Sequence, residues 1–479
     1  HDALVRISNQ IADQVVLHGV QAQGSTLNSL KEYSRLLRPG GELIWFEKHQ
    51  QQELRRSERL PRPLASDGTW SHPYSDAGNT ACSGGTLDTA DLELLWFGGP
   101  GAQPMIDRHL RTTPPVADQE NLYIPGNDQL IAMNLFNGSV RWRKDLPGWT
   151  RVGIPYDAGY TFALAGEWFS ALPNGESVAL NAETGEQSRS FQLPSADYLD
   201  EIKEKLDWGW LAADGGMLLG SGMTVGAARR QQSREDVVEH YREQRPLVCS
   251  RLLVGFALAR CTKDENQSDW WYESPGIIPN PTLTAGDGKV FFLESTSSTA
   301  VKKTGRATLQ NFFADGTQEF ICLSSQTGAE LWRVPYEDLA ERHVIYACYL
   351  NDRVVTVGSF NREQSVWYSV RVWDASTGAE LWRAEHANNR PGIGGDHGEQ
   401  VHHPVVQGSR LIVEPAIYEL RTGVRLDMAT DKKSLGIPRR GGCGTLSASA
   451  NALFYRDSCP TAHEFSPSDG VGVLDSVTL

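Results

Sequence analysis

One phrase recurs along this chain and restricts its fold more than any other feature. Ala132-Met-Asn-Leu-Phe-Asn-Gly138-Ser-Val-Arg-Trp142 returns as Ala179-Leu-Asn-Ala-Glu-Thr-Gly185-Glu, as Cys322-Leu-Ser-Ser-Gln-Thr-Gly328-Ala-Glu-Leu-Trp332, as Val372-Trp-Asp-Ala-Ser-Thr-Gly378-Ala-Glu-Leu-Trp382 and as Tyr418-Glu-Leu-Arg-Thr-Gly423-Val-Arg-Leu426. The glycines lie 47, 143, 50 and 45 residues apart. A period of roughly 48 residues marks a repeat array, and the long gap, about three periods, is expected to hold two degenerate copies.

Each copy has the same mechanical content. An apolar strand ends at Asn, Asp or Ser, the Thr-Gly step supplies the positive φ of a tight hairpin, and the next strand brings a Trp back onto the sheet. Short strands introduced by a turn begin at Asn121, Gly159, Gly216, Gly288, Asp352, Ser409 and Asn451, which makes seven starts. Short antiparallel strands cannot bury a face alone, whereas radial stacking leaves only small protected edges. The expected fold is therefore mainly β, a propeller of seven or eight blades. Leu92-Glu-Leu-Leu-Trp96-Phe has the Leu-Trp of an outer strand without a preceding hairpin, as though completing a blade begun at the C-terminus. Only 24 residues follow Tyr455, so either the seventh repeat closes the ring or an eighth is cut short.

The phrase, with its Trp four residues beyond the glycine, resembles the tryptophan-docking repeat of quinoprotein-like, PQQ-type propellers over residues 92–465. The resemblance implies a Trp packed between adjacent blades. It does not imply the cofactor, because a quinoprotein dehydrogenase needs a catalytic Asp, carboxylate and amide ligands for calcium, and commonly a vicinal Cys-Cys disulfide. The seven cysteines, Cys82, Cys249, Cys261, Cys322, Cys348, Cys443 and Cys459, include no adjacent pair, and PQQ binding is not expected. They form no C-x-x-C motif either, and Cys443 with Cys459 is the one pairing worth testing.

Residues 1–47 follow a different rule. Gln14 to His18 is a short apolar run, Thr26 to Leu37 sets Leu27, Leu30, Tyr33 and Leu37 on one helical face, and Glu42 to Phe46 reads as a buried strand. Strand, helix, Leu37-Arg38-Pro39-Gly40-Gly41 and strand resemble the late part of a class I S-adenosylmethionine-dependent methyltransferase. The glycine-rich cofactor turn of that family would lie upstream. The resemblance thus implies a partial α/β segment, with methyl transfer only in a longer parent chain. Residues 48–69, polar and then proline-bearing, read as a linker, and 70–479 as the propeller, truncated at its C-terminal end. The combination is similar to a planctomycete-type family in which a methyltransferase-like domain precedes a PQQ-like propeller. Trp70-Ser-His72-Pro-Tyr74-Ser-Asp76-Ala-Gly-Asn79, Leu94-Leu-Trp96-Phe-Gly98, Arg108-His109, His397-Gly-Glu399-Gln400 and Gly442-Cys443-Gly444-Thr445 carry that likeness.

In a propeller, the loops leading from one blade to the next gather at the channel mouth, where binding groups accumulate. Those loops carry Arg108, His109, Arg151, Trp208, Trp210, Asn280, His343, the run His397, Glu399, Gln400, His402 and His403, and Arg440. Residues 394–403 hold three His, one Asp and one Glu, groups suited to metal binding or proton transfer. No standard zinc spacing is present. Adjacent His402 and His403 point to opposite faces of an extended segment, so a metal at His397, His402 and His403 would recruit His109 or His343. The same side chains can instead brace the loop by hydrogen bonds. Arg108, Arg151 and Arg440 suit a carboxylate or sulfate, or ion pairs between blades. Trp208 and Trp210 suit a sugar ring, or core packing.

A net charge of −14 with no long Lys/Arg run excludes a general affinity for nucleic acid or anionic membrane. No apolar run approaches the roughly 20 residues that cross a bilayer. Gly226 to Arg245, with five arginines among acidic residues, reads as surface decoration. The expected function is a non-catalytic binding or scaffold propeller that takes a small molecule, glycan or protein at its mouth, with a metal ion open. The rival is an enzyme, either a metal- or His-dependent polysaccharide lyase or hydrolase or a quinoprotein-type oxidoreductase. Compartment is left open, for a chain expected to be soluble.

Overall fold

The computed structural model describes residues 12–20, 37–49, 52–59, 68–86, 96, 98–101, 104, 114–149, 160–172, 175–228, 246–262, 267–303, 305–363, 365–388, 402–427, 445–456, 460–465 and 474–478. Seven antiparallel sheets, blades 1 to 7, follow one another over residues 116–145, 161–192, 206–279, 284–335, 345–387, 405–419 and 447–478. Within each blade the spatial order of the strands is their order in sequence. Blades 3 and 4 meet where Ile277 pairs with Ser295, and the short strand Arg306–Ala307 pairs with Leu247 and Val248 of blade 3. Two short helices, Ser298–Val301 and Leu309–Phe312, are inserted in blade 4.

The recurring phrase couples one blade to the next. The indole of Trp142 lies over Gly185, Trp270 over Gly328, Trp332 over Gly378 and Trp382 over Gly423, while Trp96 lies over Gly138. Each indole N–H donates to the carbonyl three residues before its glycine, at 2.9–3.0 Å. The glycine is required twice. Its φ is about +70°, and a Cβ at Gly185 would fall 2.9 Å from the Trp142 ring. The residue that ends the strand builds the turn: the side-chain oxygens of Asn134, Asn181 and Asp374 each accept two backbone N–H groups from the hairpin. At the blade 2 position Arg189 replaces Trp, pairing with Ala179 as Trp142 pairs with Ala132. Its guanidinium donates to the carbonyls of Leu258 and Cys261 in blade 3.

Three expectations change. The gap between Gly185 and Gly328 holds one whole blade rather than two degenerate copies, because the strands of blade 3 are long, 8 to 11 residues each. Six of the seven turn-introduced starts are second strands. Four of their first strands are only two or three residues long, among them Val116–Ala117 and Ser447–Ala448, too few for a period to show. The residues after Tyr455 supply Pro460–Phe465 and Leu474–Thr478 to blade 7 itself.

Ahead of the blades, β1 (Ala12–Val20) pairs in parallel with β2 (Leu37–His49), and β2 pairs antiparallel with β3 (Gln52–Arg59). Residues 52–59 are therefore a strand rather than linker: Gln52 opposes His49, and Arg55 faces Glu42 at 3.9 Å. Ala12 opposes Leu37 and Gln14 opposes Glu42, so Arg38 to Gly41 bulge out of β2 instead of preceding it. Leu37, Leu43 and Ile44 are buried. The helix expected over 26–37 lies outside the described residues up to Leu36.

Candidate functional site

The first strands of all seven blades surround one segment, residues 69–83. Ala117, Ala163, Ala285, Tyr349, Val406 and Ala448, on the first strands of blades 1, 2, 4, 5, 6 and 7, each donate a backbone N–H to the carbonyls of Trp70, Ser71, Ala77, Gly78, Thr80 and Ala81, at 2.7–2.9 Å. Blade 3 uses a side chain, since Ala213 N–H donates to His72 Nε2 at 3.3 Å. The segment visits the blades in chain order, and its ends meet where Thr69 N–H donates to Ser83 O at 3.1 Å. It is a closed Ω-type loop filling the channel.

Side chains fix the loop in place. Ser75 Oγ donates to Cys82 O at 2.7 Å, and Asn79 Nδ2 donates to Leu283 O and Ala347 O at 2.8 and 3.2 Å, linking blades 4 and 5. A Cβ at Gly78 would fall 2.4 Å from Tyr349 O. Ser75, Asn79 and Ala81 hold positive φ of 79°, 56° and 52°, conformations that non-glycine residues adopt only when their surroundings impose them.

The ionisable groups of the loop are held neutral or strained by burial. His72 stacks on Phe162 with centroids 5.0 Å apart and accepts from Ala213, so its proton sits on Nδ1, facing Ser71 Oγ at 2.8 Å. Desolvation brings its pKa down to about 3. Asp76, half-buried and crowded by protein, accepts from Thr80 N–H at 3.1 Å and Thr80 O–H at 2.5 Å. Burial nevertheless pushes its carboxyl up to about 6. Tyr74 stacks on His403 at 3.7 Å, with Tyr346 edge-on to the same imidazole. His403 Nδ1–H donates to Pro404 O at 2.6 Å, and Nε2 lies 4.0 Å from Cys348 Sγ. Burial lowers His403 to about 3 and raises the Cys348 thiol. This His–Cys pair is thus neutral and sealed.

The mouth residues expected from sequence are distributed differently. His402 and His403 do diverge: His402 Nδ1 lies 3.5 Å from Glu414, while His403 joins the channel stack. Trp208 and Trp210 are on the first strand of blade 3 and fully buried, with Trp208 Nε1–H donating to Gly175 O at 3.1 Å. They are packing, not a sugar platform, because a first strand is enclosed by its own sheet and both neighbouring blades. Asn280 is buried at Ser250 Oγ, 2.7 Å away, and His343 is buried beside Asn361 at 3.3 Å. Arg108, His109, Arg151, His397, Glu399, Gln400, Arg440, Cys443 and Cys459 lie outside the described residues. No group of three metal-ligating side chains occurs among the described residues, and the five described cysteines are buried. In the sequence, Trp70 to Asn79 carries only a family likeness, and its place inside the ring is not legible there. The available signal was Ser, His, Asp, Gly, Asn and Thr packed together with no strand period, directly ahead of the first blade.

These features define a β-propeller, and its likeness to PQQ-like repeats is seen over part of the chain. A family model described as outer membrane protein assembly factor BamB matches residues 34–203, a stretch that includes β2, the channel loop and blades 1 and 2. Among solved structures, BamB from Moraxella catarrhalis is 13% identical, over 76% of this chain and 83% of that one, with a TM-score of 0.36. Quinohemoprotein alcohol dehydrogenase from Comamonas testosteroni is 11% identical over 86% and 73%, with a TM-score of 0.47. A europium-containing methanol dehydrogenase is 11% identical over 86% of each chain, with a TM-score of 0.49. No curated protein matches.

Proposed function

We propose that this chain is a non-catalytic binding or scaffold propeller that meets a protein partner on its outer loops and blade faces, not inside its channel. One observation carries the reading: residues 69–83 fill the channel and bond to the first strand of every blade. A quinone laid there would need the space of Tyr74 and of the loop backbone, and His72, Ser75, Asn79 and Thr80 already bond to protein. The residues present do not fit that cofactor. A metal on His402 and His403 is disfavoured in the same way, since the two rings face different partners. The exposed side chains of Leu331 and Leu381 on the outer strands of blades 4 and 5 suit a protein surface, and the matching family description names an assembly factor.

The test uses the purified full chain, mixed with calcium and PQQ, then gel-filtered and examined by metal analysis, absorption spectrum and turnover of alcohols and a glycan panel. The expected outcome is no stoichiometric metal, no retained quinone band and no turnover. A metal lost on His402→Ala, a retained quinone or any turnover would overturn the proposal. For residues 1–47, the parallel pairing of β1 with β2 supports a methyltransferase-like tail, and titration with S-adenosylmethionine is expected to show no binding by this chain.

A further inference from the structure

We propose that residues 69–83 act as the clasp of the propeller, an intramolecular peptide ligand whose seating joins blade 7 to blade 1. A ring of blades needs a device at the point where its last sheet meets its first. Here the outer strand of blade 7, Leu474–Thr478, comes from the same stretch of chain as the rest of that blade, and among the described residues no strand from ahead of blade 1 joins its sheet. The loop spans the junction instead. One arm bridges Trp70 to Ala117 of blade 1, the other bridges Cys82 to Ala448 of blade 7, and Thr69 to Ser83 ties the arms together. Trp96 over Gly138 adds a second contact on the outer side of blade 1.

The chemistry of the site is that of backbone recognition. Seven first-strand N–H groups point inward, one per blade, and the loop supplies six carbonyls and one imidazole nitrogen to meet them. Small side chains make the approach possible, for the donors of blades 1, 2, 3, 4 and 7 are all Ala. The loop cannot preform: three non-glycine residues at positive φ are sustained by the blades around them. It precedes every blade in sequence yet bonds to the last, so it seats only once blade 7 is in place.

Hydrogen exchange followed by mass spectrometry on the full chain tests this, comparing the native protein with Gly78→Val, whose side chain has no room beside Tyr349 O. The native loop amides are expected to exchange slowly. In the variant, protection is expected to be lost in the loop and also in segments 114–126 and 445–456, and to return when a synthetic peptide of residues 69–84 is added. Rapid exchange of the native loop would overturn the proposal, as would a loss confined to residues 70–83 and Tyr349. Should Gly78→Val not accumulate as folded protein, Asn79→Ala, which removes the bonds to blades 4 and 5 without adding volume, is read by the same criteria.

Discussion

Asp76 is a carboxylate placed where its charge works against folding, and Asp76→Asn should reveal that cost. Its carboxyl rises from 3.8 to about 6 through desolvation, which outweighs the two hydrogen bonds from Thr80. The folded state therefore holds a proton that the unfolded state has released between pH 3.8 and about 6. Stability falls as pH rises through that window and is level above it. At about 1.4 kcal/mol per unit the whole effect is about 3 kcal/mol, an upper figure because the carboxylate is partly open to water. Asn keeps the geometry: its Oδ1 accepts from Thr80 N–H, and its Nδ2 donates to Thr80 Oγ1, whose hydroxyl turns to Cys82 O, 3.3 Å away. The assay is urea unfolding of both proteins at steps from about pH 4 to about pH 8, read as a difference so that other titrating groups cancel. Asp76→Asn should match the native protein at low pH and become the more stable of the two as pH rises. Curves that stay parallel across the range would refute the desolvation argument.

The coupling between blades gives further expected outcomes. Trp332→Ala should cost about 3–5 kcal/mol by removing an aromatic side chain from its packed site. Trp332→Phe, which keeps a ring over Gly378 and loses only the bond to Ala375 O, should cost about 1 kcal/mol more than the smaller ring alone explains; equal losses in urea unfolding would show that packing is not what matters there. Arg189→Ala should cost about 1–3 kcal/mol, since it strips the Leu258 and Cys261 carbonyls of a charged donor, and should speed amide exchange in residues 257–262. Unchanged exchange there would mean that Arg189 is a surface residue that only resembles a docked Trp.

The repeat was legible because it is local. Asn134 bonding its own turn, Gly185 at positive φ and Trp142 returning to the sheet are consequences of neighbours within about ten residues, and chain chemistry at that range is written in order. The same locality explains the failures. Arg189 could not be read as a docking residue, because its carbonyl partners lie about 70 residues away. A strand period makes His402 and His403 diverge, but only the folded chain puts Tyr74 on the ring of His403 and Glu414 beside His402. Trp208 and Trp210 read equally as ligand platform or core, and burial decided for core.

What the amino-acid order determined by itself was the unit: a four-stranded sheet with a glycine hairpin, repeated, and a Trp to couple copies. How the units close was decided only in three dimensions. Several first strands, such as Val116–Ala117 and Ser447–Ala448, are too short to announce themselves, and the residues that fill the ring stand ahead of all of them in the chain. Their partners, Ala117 to Ala448, are spread over more than 300 residues and are mostly plain alanines, offering a backbone N–H that any residue would have. A hydrogen bond made by backbone alone leaves no trace in the side chains, so a channel built from such bonds becomes visible only once the blades surround it.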